Sequence, residues 1–241
     1  MNMRFKGFSV AALALGLLLL GSPAFAAYQL TLTSGAQSVT INSVTGCVAS
    51  GGASCAGAST AVPGVVTFAG SLGTFMFNTV IGLLQPPLTL PDIMDMISLN
   101  VSSGGAGTIT AQFSAQDFDF QTPPLGFVMH AGGTLTGPVG SSVTYQTYLD
   151  NANTLGAETV AIGAMGPFTT PSFSGSLYSE TLAAAATYSL TQTLTLSLTG
   201  AGQMSGDFSL ALVPEPTAVA LLGAVLLLIG AALRRRASSR A

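Results

Sequence analysis

The sequence predicts an all-β protein: an antiparallel β-sandwich, jelly-roll-like, flanked by an N-terminal signal helix and a C-terminal transmembrane helix. Three observations predict it. Between residues 27 and 212 the chain is rich in short runs with apolar residues at every second position, and no long stretch has the three-four spacing of an amphipathic helix. Pro- and Gly-rich breaks punctuate these runs, as turns between short strands require. Each end of the chain carries an uncharged apolar run beside basic residues.

At the N-terminus, Arg4 and Lys6 precede the apolar run Val10 to Leu20, and Ala24-Phe25-Ala26 follows. Basic, apolar and small-residue regions in that order make a secretory signal peptide, cleaved after Ala26. The run is too short to span a bilayer core, which asks for about 20 apolar residues. The organisation is therefore a signal peptide over 1–26, an exported β-sandwich domain over 27–212, and a sorting segment over 213–241. A body of this size suits one domain with a single core.

Strands are expected at Tyr28 to Thr33, Ser38 to Val44, Val65 to Ala69, Thr74 to Leu84, Met96 to Val101 and Thr108 to Phe113. Further strands are expected at Asp117 to Phe120, Phe127 to Leu135, Ser142 to Leu149 and Glu158 to Gly163. Ile109, Ala111 and Phe113 share odd parity, whereas Phe118 and Phe120 are even, so a bulge or turn must lie between Ser114 and Asp117. The clearest alternation is Tyr188 to Thr199. Leu190, Leu194, Leu196 and Leu198 fall on one face, and Thr191, Thr193, Thr195, Ser197 and Thr199 on the other. Gly200-Ala201-Gly202 then turns the chain, and Phe208, Leu210 and Leu212 return as a hairpin. Pro-rich breaks at Gln85 to Pro91, Gln121 to Leu125 and Gly166 to Pro171 read as loops. Asp92, after Pro91, suits the cap of a brief helical turn.

Cys47 and Cys55 are the two cysteines, and in an exported chain they are expected to pair. A loop this short contributes about 2.5 kcal/mol on the chain-entropy model.

Charge is segregated. Arg4, Lys6, Arg234, Arg235, Arg236 and Arg240 are the whole basic complement, so residues 27–213 contain no Lys or Arg. No Lys or Arg ion pair can form in that body, and its stability rests on apolar burial and backbone hydrogen bonds. Nucleic-acid binding and phosphate handling are excluded as classes, because phosphate contacts need basic residues.

The chain closes with Val213-Pro214-Glu215-Pro216, an uncharged stretch from Thr217 to Leu233, and Arg234-Arg235-Arg236. At about 1.5 Å per residue that stretch reaches roughly 26 Å, enough for a bilayer core if the arginines snorkel. The arginines act as a membrane stop and stay cytoplasmic by the positive-inside rule. Pro214 and Pro216 cannot continue a helix backward and hold the preceding segment extended. This tail resembles the PEP-CTERM sorting signal of exported bacterial surface proteins. The resemblance covers about residues 213–240. It implies an exosortase-like membrane protease that reads Pro214, Glu215 and Pro216. The expected partners are Sec-type export machinery, signal peptidase, that protease, the inner membrane and, by the resemblance, exopolysaccharide. The expected path is an inner-membrane-anchored precursor, then the cell surface or extracellular matrix of a Gram-negative-type bacterium.

Candidate chemistry is sparse. His130 is the one histidine, and its chain neighbours Met129 and Ala131 offer no polar helper, so a solvated strand histidine is expected. Asp117 and Asp119 would project from one face of a strand and form a weak metal candidate, for Ca²⁺ with loop carbonyls. No other cofactor is expected, and no nucleophile–base–acid set is present, so the chain is not expected to be an enzyme. The Thr191 to Thr199 ladder is similar to the threonine faces of ice-binding β-proteins. Two readings stay open: a non-enzymatic surface or matrix protein sorted by its tail, or a surface-exposed module that binds ice, glycan or another surface.

Overall fold

Alternating apolar side chains become extended backbone in the computed structural model, which describes residues 27–84, 92–119, 126–169, 171–213 and 226–227. Among these, fourteen strands form: β1 (Tyr28–Ser34), β2 (Gln37–Asn42), β3 (Gly46–Ser50), β4 (Ala58–Ser59), β5 (Val65–Leu72), β6 (Phe75–Leu84) and β7 (Asp92–Ser103). The second half supplies β8 (Gly107–Phe118), β9 (Gly126–Thr136), β10 (Ser142–Asp150), β11 (Val160–Phe168), β12 (Ser172–Tyr178), β13 (Tyr188–Leu198) and β14 (Gly202–Val213). They build two seven-stranded sheets with antiparallel pairing throughout. The first sheet runs β11-β10-β13-β8-β1-β2-β3, and the second β12-β9-β14-β7-β6-β5-β4.

The winding follows from these orders. From β7 onward the chain crosses between sheets at β7/β8, β8/β9, β9/β10, β11/β12, β12/β13 and β13/β14. The last pair inserts centrally, β13 between β8 and β10, and β14 between β7 and β9. Eight strands wound in this way have the order of a jelly roll. β1 to β3 then extend the first sheet, and β4 to β6 extend the second.

Both ends of the described body emerge at one end of the sandwich. Tyr28 pairs with Ala115, near the Phe118–Tyr188 pair. The β13–β14 corner lies at the opposite end, so Val213 returns to the level of Tyr188.

Leucines and aromatics from both inner faces fill the space between the sheets. Tyr145 and Phe208 approach to 5.2 Å between ring centroids, Phe173 and Phe208 to 6.1 Å, and Phe68 and Phe77 to 5.6 Å. Phe208, Leu190 and Leu196 are completely buried. Each such side chain contributes about 1.5–3 kcal/mol by leaving water.

The parity break in β8 is a bulge. Tyr188 opposes Phe118 while Leu190 opposes Ala115, so an extra residue sits on β8, and Asp117 there has φ 63°. Aspartate tolerates this left-handed conformation better than most residues. Cys47 and Cys55 are joined. Cys47 lies in β3 of the first sheet and Cys55 just before β4 of the second, so the disulfide ties the two sheets along one lateral edge.

Several expectations are corrected. β13 and β14 are not a hairpin, because they belong to different sheets. Gly202 enables the corner: a Cβ there would collide with the Thr136 carbonyl oxygen of β9. Asp92 opens strand β7 rather than capping a helical turn. β11 continues to Phe168 through Pro167, where a loop was expected. It is an edge strand, so the missing N–H breaks no interior ladder. β3, β4 and β12 were not anticipated; all three are short strands rich in Gly, Ala and Ser.

The signal segment 1–26, Pro214, Glu215, Pro216 and Arg234, Arg235 and Arg236 lie outside the described residues. Val213 is the last residue of β14 and pairs with Gly126. Leu226 and Leu227 are helical and exposed. Among the described residues no helix is long and apolar enough to cross a membrane.

Candidate functional site

Over β10, β13, β8, β1 and β2 the outer face of the first sheet is a lattice of uncharged polar side chains, flanked by alanines on β11 and by the exposed Val48 on β3. Because side chains alternate, one parity of each strand points away from the core. On β1 these are Gln29, Thr31 and Thr33; on β2, Ser38, Thr40 and Asn42; on β8, Thr108, Thr110 and Gln112. On β10 they are Ser142, Thr144 and Gln146, and on β13 Thr193, Thr195 and Ser197. Strand register aligns them into rows. One row reads Thr144, Thr195, Thr110, Thr33, Ser38, Ser50 across six strands. The next reads Gln146, Thr193, Gln112, Thr31, Thr40. Neighbouring strands lie about 4.8 Å apart, so the six-residue row extends roughly 24 Å. Hydroxyls within the lattice bond to one another: Thr31 to Thr40 at 3.2 Å, Ser38 to Ser50 at 2.8 Å and Thr108 to Ser197 at 3.1 Å.

A polar wall bounds this floor. The connection 151–159, between β10 and β11, folds back over β13 and β8. The Gly156 amide donates to Ser114 Oγ at 2.8 Å, and the Ser189 hydroxyl donates to the Thr154 carbonyl at 2.8 Å. At one end of the connection Asp117 and Asn153 exchange two bonds: the Asp117 amide donates to Asn153 Oδ1 at 2.8 Å, and Asn153 Nδ2 donates to Asp117 Oδ1 at 2.6 Å. At its base the buried Asp150 carboxylate accepts from the Thr154 amide at 2.9 Å and the Thr159 hydroxyl at 2.8 Å. These bonds, the Thr154 amide first, hold the Asp150 carboxyl below the usual carboxylate range, against the opposing pull of desolvation.

Glu158 ends the wall at the floor. Its Oε1 accepts from Thr193 Oγ1 at 2.7 Å and from Gln112 Nε2 at 3.0 Å. Tyr148, on β10, lies beside it. Partial burial and then the Glu158 charge raise the Tyr148 hydroxyl above its ordinary pKa, so it remains a hydrogen-bond donor. Hydroxyls, primary amides, one carboxylate and one phenol in this layout offer hydrogen-bond donors and acceptors side by side.

The wall buries part of the threonine ladder. Thr191 and Thr193 lie under or against it, at 0% and 8% exposure, whereas Thr195 and Ser197 are partly open. The ladder is therefore not one flat exposed plane.

The second sheet's outer face carries ionisable groups. A depression of about 250 Å³ is lined by Asp95, His130, Gly132, Asp207 and Ser209, with Ala131 and Phe208 beneath. His130 is exposed and its Nδ1 shares a hydrogen bond with Ser176 Oγ at 2.8 Å. Asp207 accepts from the Ser98 amide at 2.8 Å, where β7 bulges with Ser98 at φ 53°. Tyr145 reaches through the core and donates to the Ser209 carbonyl at 3.2 Å. Its hydroxyl pKa is raised well above the ordinary value, by burial first and the Asp95 charge second.

Of the two carboxylates anticipated as a weak metal candidate, Asp117 sits in the β8 bulge and is engaged by Asn153, and Asp119 follows the strand and is exposed. Among the described residues no group of three or more His, Cys, Asp or Glu side chains converges on a cation. The floor residues Gln29, Thr31, Thr110, Gln112, Thr144 and Gln146 escaped sequence reasoning. Their outward parity was visible in the chain, but the strand order that makes them neighbours was not.

No family model matches the chain, and no curated protein matches it. Among solved structures, the chain is similar to a carbohydrate-binding module in complex with β-1,4-galactotriose, at TM-score 0.32 and 9% identity, covering 63% of this chain and 88% of that one. It is similar to a carbohydrate-binding module from the β-sandwich superfamily, at TM-score 0.33 and 9% identity, covering 77% and 83%. It is also similar to a bacteriophage CBA120 tailspike protein, at TM-score 0.32 and 13% identity, over 77% of this chain but 19% of that one. Likeness at this level assigns no ligand.

Proposed function

We propose that the body of this chain is a non-enzymatic surface module that binds polysaccharide on the outer face of its first sheet. The observation that carries the reading is the six-strand lattice of uncharged hydroxyl and amide side chains. Sugar hydroxyls both donate and accept, and a floor of Thr, Ser, Gln and Asn side chains matches that chemistry group for group. With no Lys or Arg between residues 27 and 213, the face cannot recruit phosphate or other anions by charge. The wall over Thr191 favours a polymer over an ice plane, because a planar lattice needs a flat, open surface.

Export completes the proposal. The signal segment, the Pro214-Glu215-Pro216 motif and the Arg234–Arg236 stop would deliver the module to the cell surface or matrix, where polysaccharide is at hand. Affinity electrophoresis of the purified protein through gels cast with neutral polysaccharides tests the binding. Retardation that Thr195→Trp or Thr33→Trp abolishes is the expected result; migration that no polysaccharide alters refutes it. Mass spectrometry of the native C-terminus tests the sorting: a terminus near Val213 is expected, and an intact arginine tail refutes processing at the motif.

A further inference from the structure

The floor and wall together constrain how a polymer lies and which polymers are admitted. This inference rests on the polysaccharide-binding reading above. The connection 151–159 stands across β13 and β8, anchored by the Gly156–Ser114 and Glu158–Thr193 bonds. It closes the floor in the strand direction at Thr191 and Ser114, both completely buried. A chain laid along the strands would run into it within two residues of Thr193. A chain laid across them meets no such obstacle among the described residues, because the Thr144–Ser50 row continues over six strands beside the wall.

Among the described residues Glu158 is the carboxylate that bonds to this floor, through Thr193 and Gln112. It is exposed, and both side-chain bonds it accepts fall on Oε1, from Gln112 and Thr193. Those donors hold the carboxylate at the floor's margin, and no Lys or Arg exists in the body to neutralise it. A sugar hydroxyl can donate to this group. A uronate or sulfate on the ligand would meet an uncompensated like charge, and such juxtaposition selects against the anionic partner.

We propose that the ligand is an uncharged polysaccharide laid across the strands along the Thr144–Ser50 row, with the connection 151–159 as its side wall and Glu158 as the group that turns anionic chains away.

The test has two arms, each read on the full chain by retardation in a neutral glucan or galactan and in an anionic alginate or polygalacturonate. In the first, Ser50→Trp and Thr144→Trp place bulk at the two ends of the row, and Thr108→Trp places it off the row along β8. Weakening by about tenfold or more at both row ends, exceeding that of Thr108→Trp, is expected. For a chain lying along the strands the order reverses, and that result overturns the orientation. In the second arm Glu158→Gln keeps an acceptor for Gln112 and Thr193 but removes the charge. The neutral-to-anionic preference should fall by about tenfold, the equivalent of 1.4 kcal/mol. A preference unchanged in Glu158→Gln overturns the role of Glu158 while leaving polysaccharide binding standing. Wild-type protein that binds anionic chains and no neutral one overturns the inference as a whole, and wild type that binds neither class overturns the underlying reading with it. Unchanged thermal midpoints confirm that each variant is folded.

Discussion

Two outer faces of one sandwich, both rich in serine and threonine, arrange their polar side chains differently. On the first sheet the strands present uncharged polar side chains in register, and the connection 151–159 folds over one end as a hydrogen-bonded wall. On the second sheet Asp95, His130 and Asp207 interrupt the hydroxyls, and the β7 bulge at Ser98 breaks the rows. The comparison teaches that regular register, rather than hydroxyl content, makes a surface that can match a repeating ligand. Among the described residues it also isolates the wall as a feature of the first face.

The largest expected effect removes both faces together. Phe208 is completely buried on β14 and packs against Tyr145 of the opposite sheet and Phe173 of β12. Phe208→Ala should cost about 3–5 kcal/mol in urea unfolding, by lost burial plus the cavity left behind. A cost below about 1 kcal/mol would mean that the two sheets are not joined through this cluster. Next, Cys47→Ser with Cys55→Ser should cost about 2.5 kcal/mol, since the bridge closes a short loop. Its structural effect should stay at the β3–β4 edge. Hydrogen exchange that loosens the 151–159 wall instead would show the two regions to be coupled.

A third change separates the faces. Asn153 has φ 57° and holds Asp117 by two hydrogen bonds. Asn153→Gly keeps the backbone accessible to that conformation but deletes both bonds, at a cost of about 1–2 kcal/mol. Amide exchange at Gly156 should quicken while exchange at His130 does not. Acid should act on the same wall. Because Asp150 has a folded-state pKa below its unfolded value, its contribution is complete above the ordinary carboxylate range. It is lost as pH falls through the depressed folded pKa. The protection of the Thr154 amide, its exchange rate divided into the intrinsic rate at the same pH, should therefore fall only below that range. Loss of protection on the alkaline side would contradict the assignment.

The legible part of this molecule was its local pattern. Odd and even parity around Phe113 and Phe118 located the β8 bulge, because burial on one face leaves no other solution. Strand neighbours were not legible. Leu196 and Phe208 both point inward, and that parity fits a hairpin as well as two strands facing each other across a core; a short corner at 199–201 decides between them, and the chain took the second. Thr195 becomes a neighbour of Thr110 and Thr144 only through the insertion of β13 between β8 and β10. The wall left no periodic trace at all. It is held by Asp150, Asn153, Gly156 and Glu158 through individual hydrogen bonds, and such bonds impose no repeat on a sequence. Edge strands β3 and β12 hid for a related reason: small residues at a margin bury too little to show alternation.

The smallest expected effect is the most direct test of the contrast between faces. His130 is exposed on β9 of the second sheet, and its one side-chain hydrogen bond is to the exposed Ser176 of the neighbouring edge strand. His130→Ala should change stability by no more than about 0.5 kcal/mol, because neither partner is removed from water. If the first sheet is the binding face, the same variant should leave retardation in polysaccharide gels unaltered, while Thr195→Trp on the opposite face abolishes it. The outcome that reverses the assignment is equally simple to read. Loss of retardation in His130→Ala, with Thr195→Trp still retarded, would move the ligand to the depression between Asp95 and Asp207 and reduce the ordered hydroxyl lattice to a solvent-facing sheet surface.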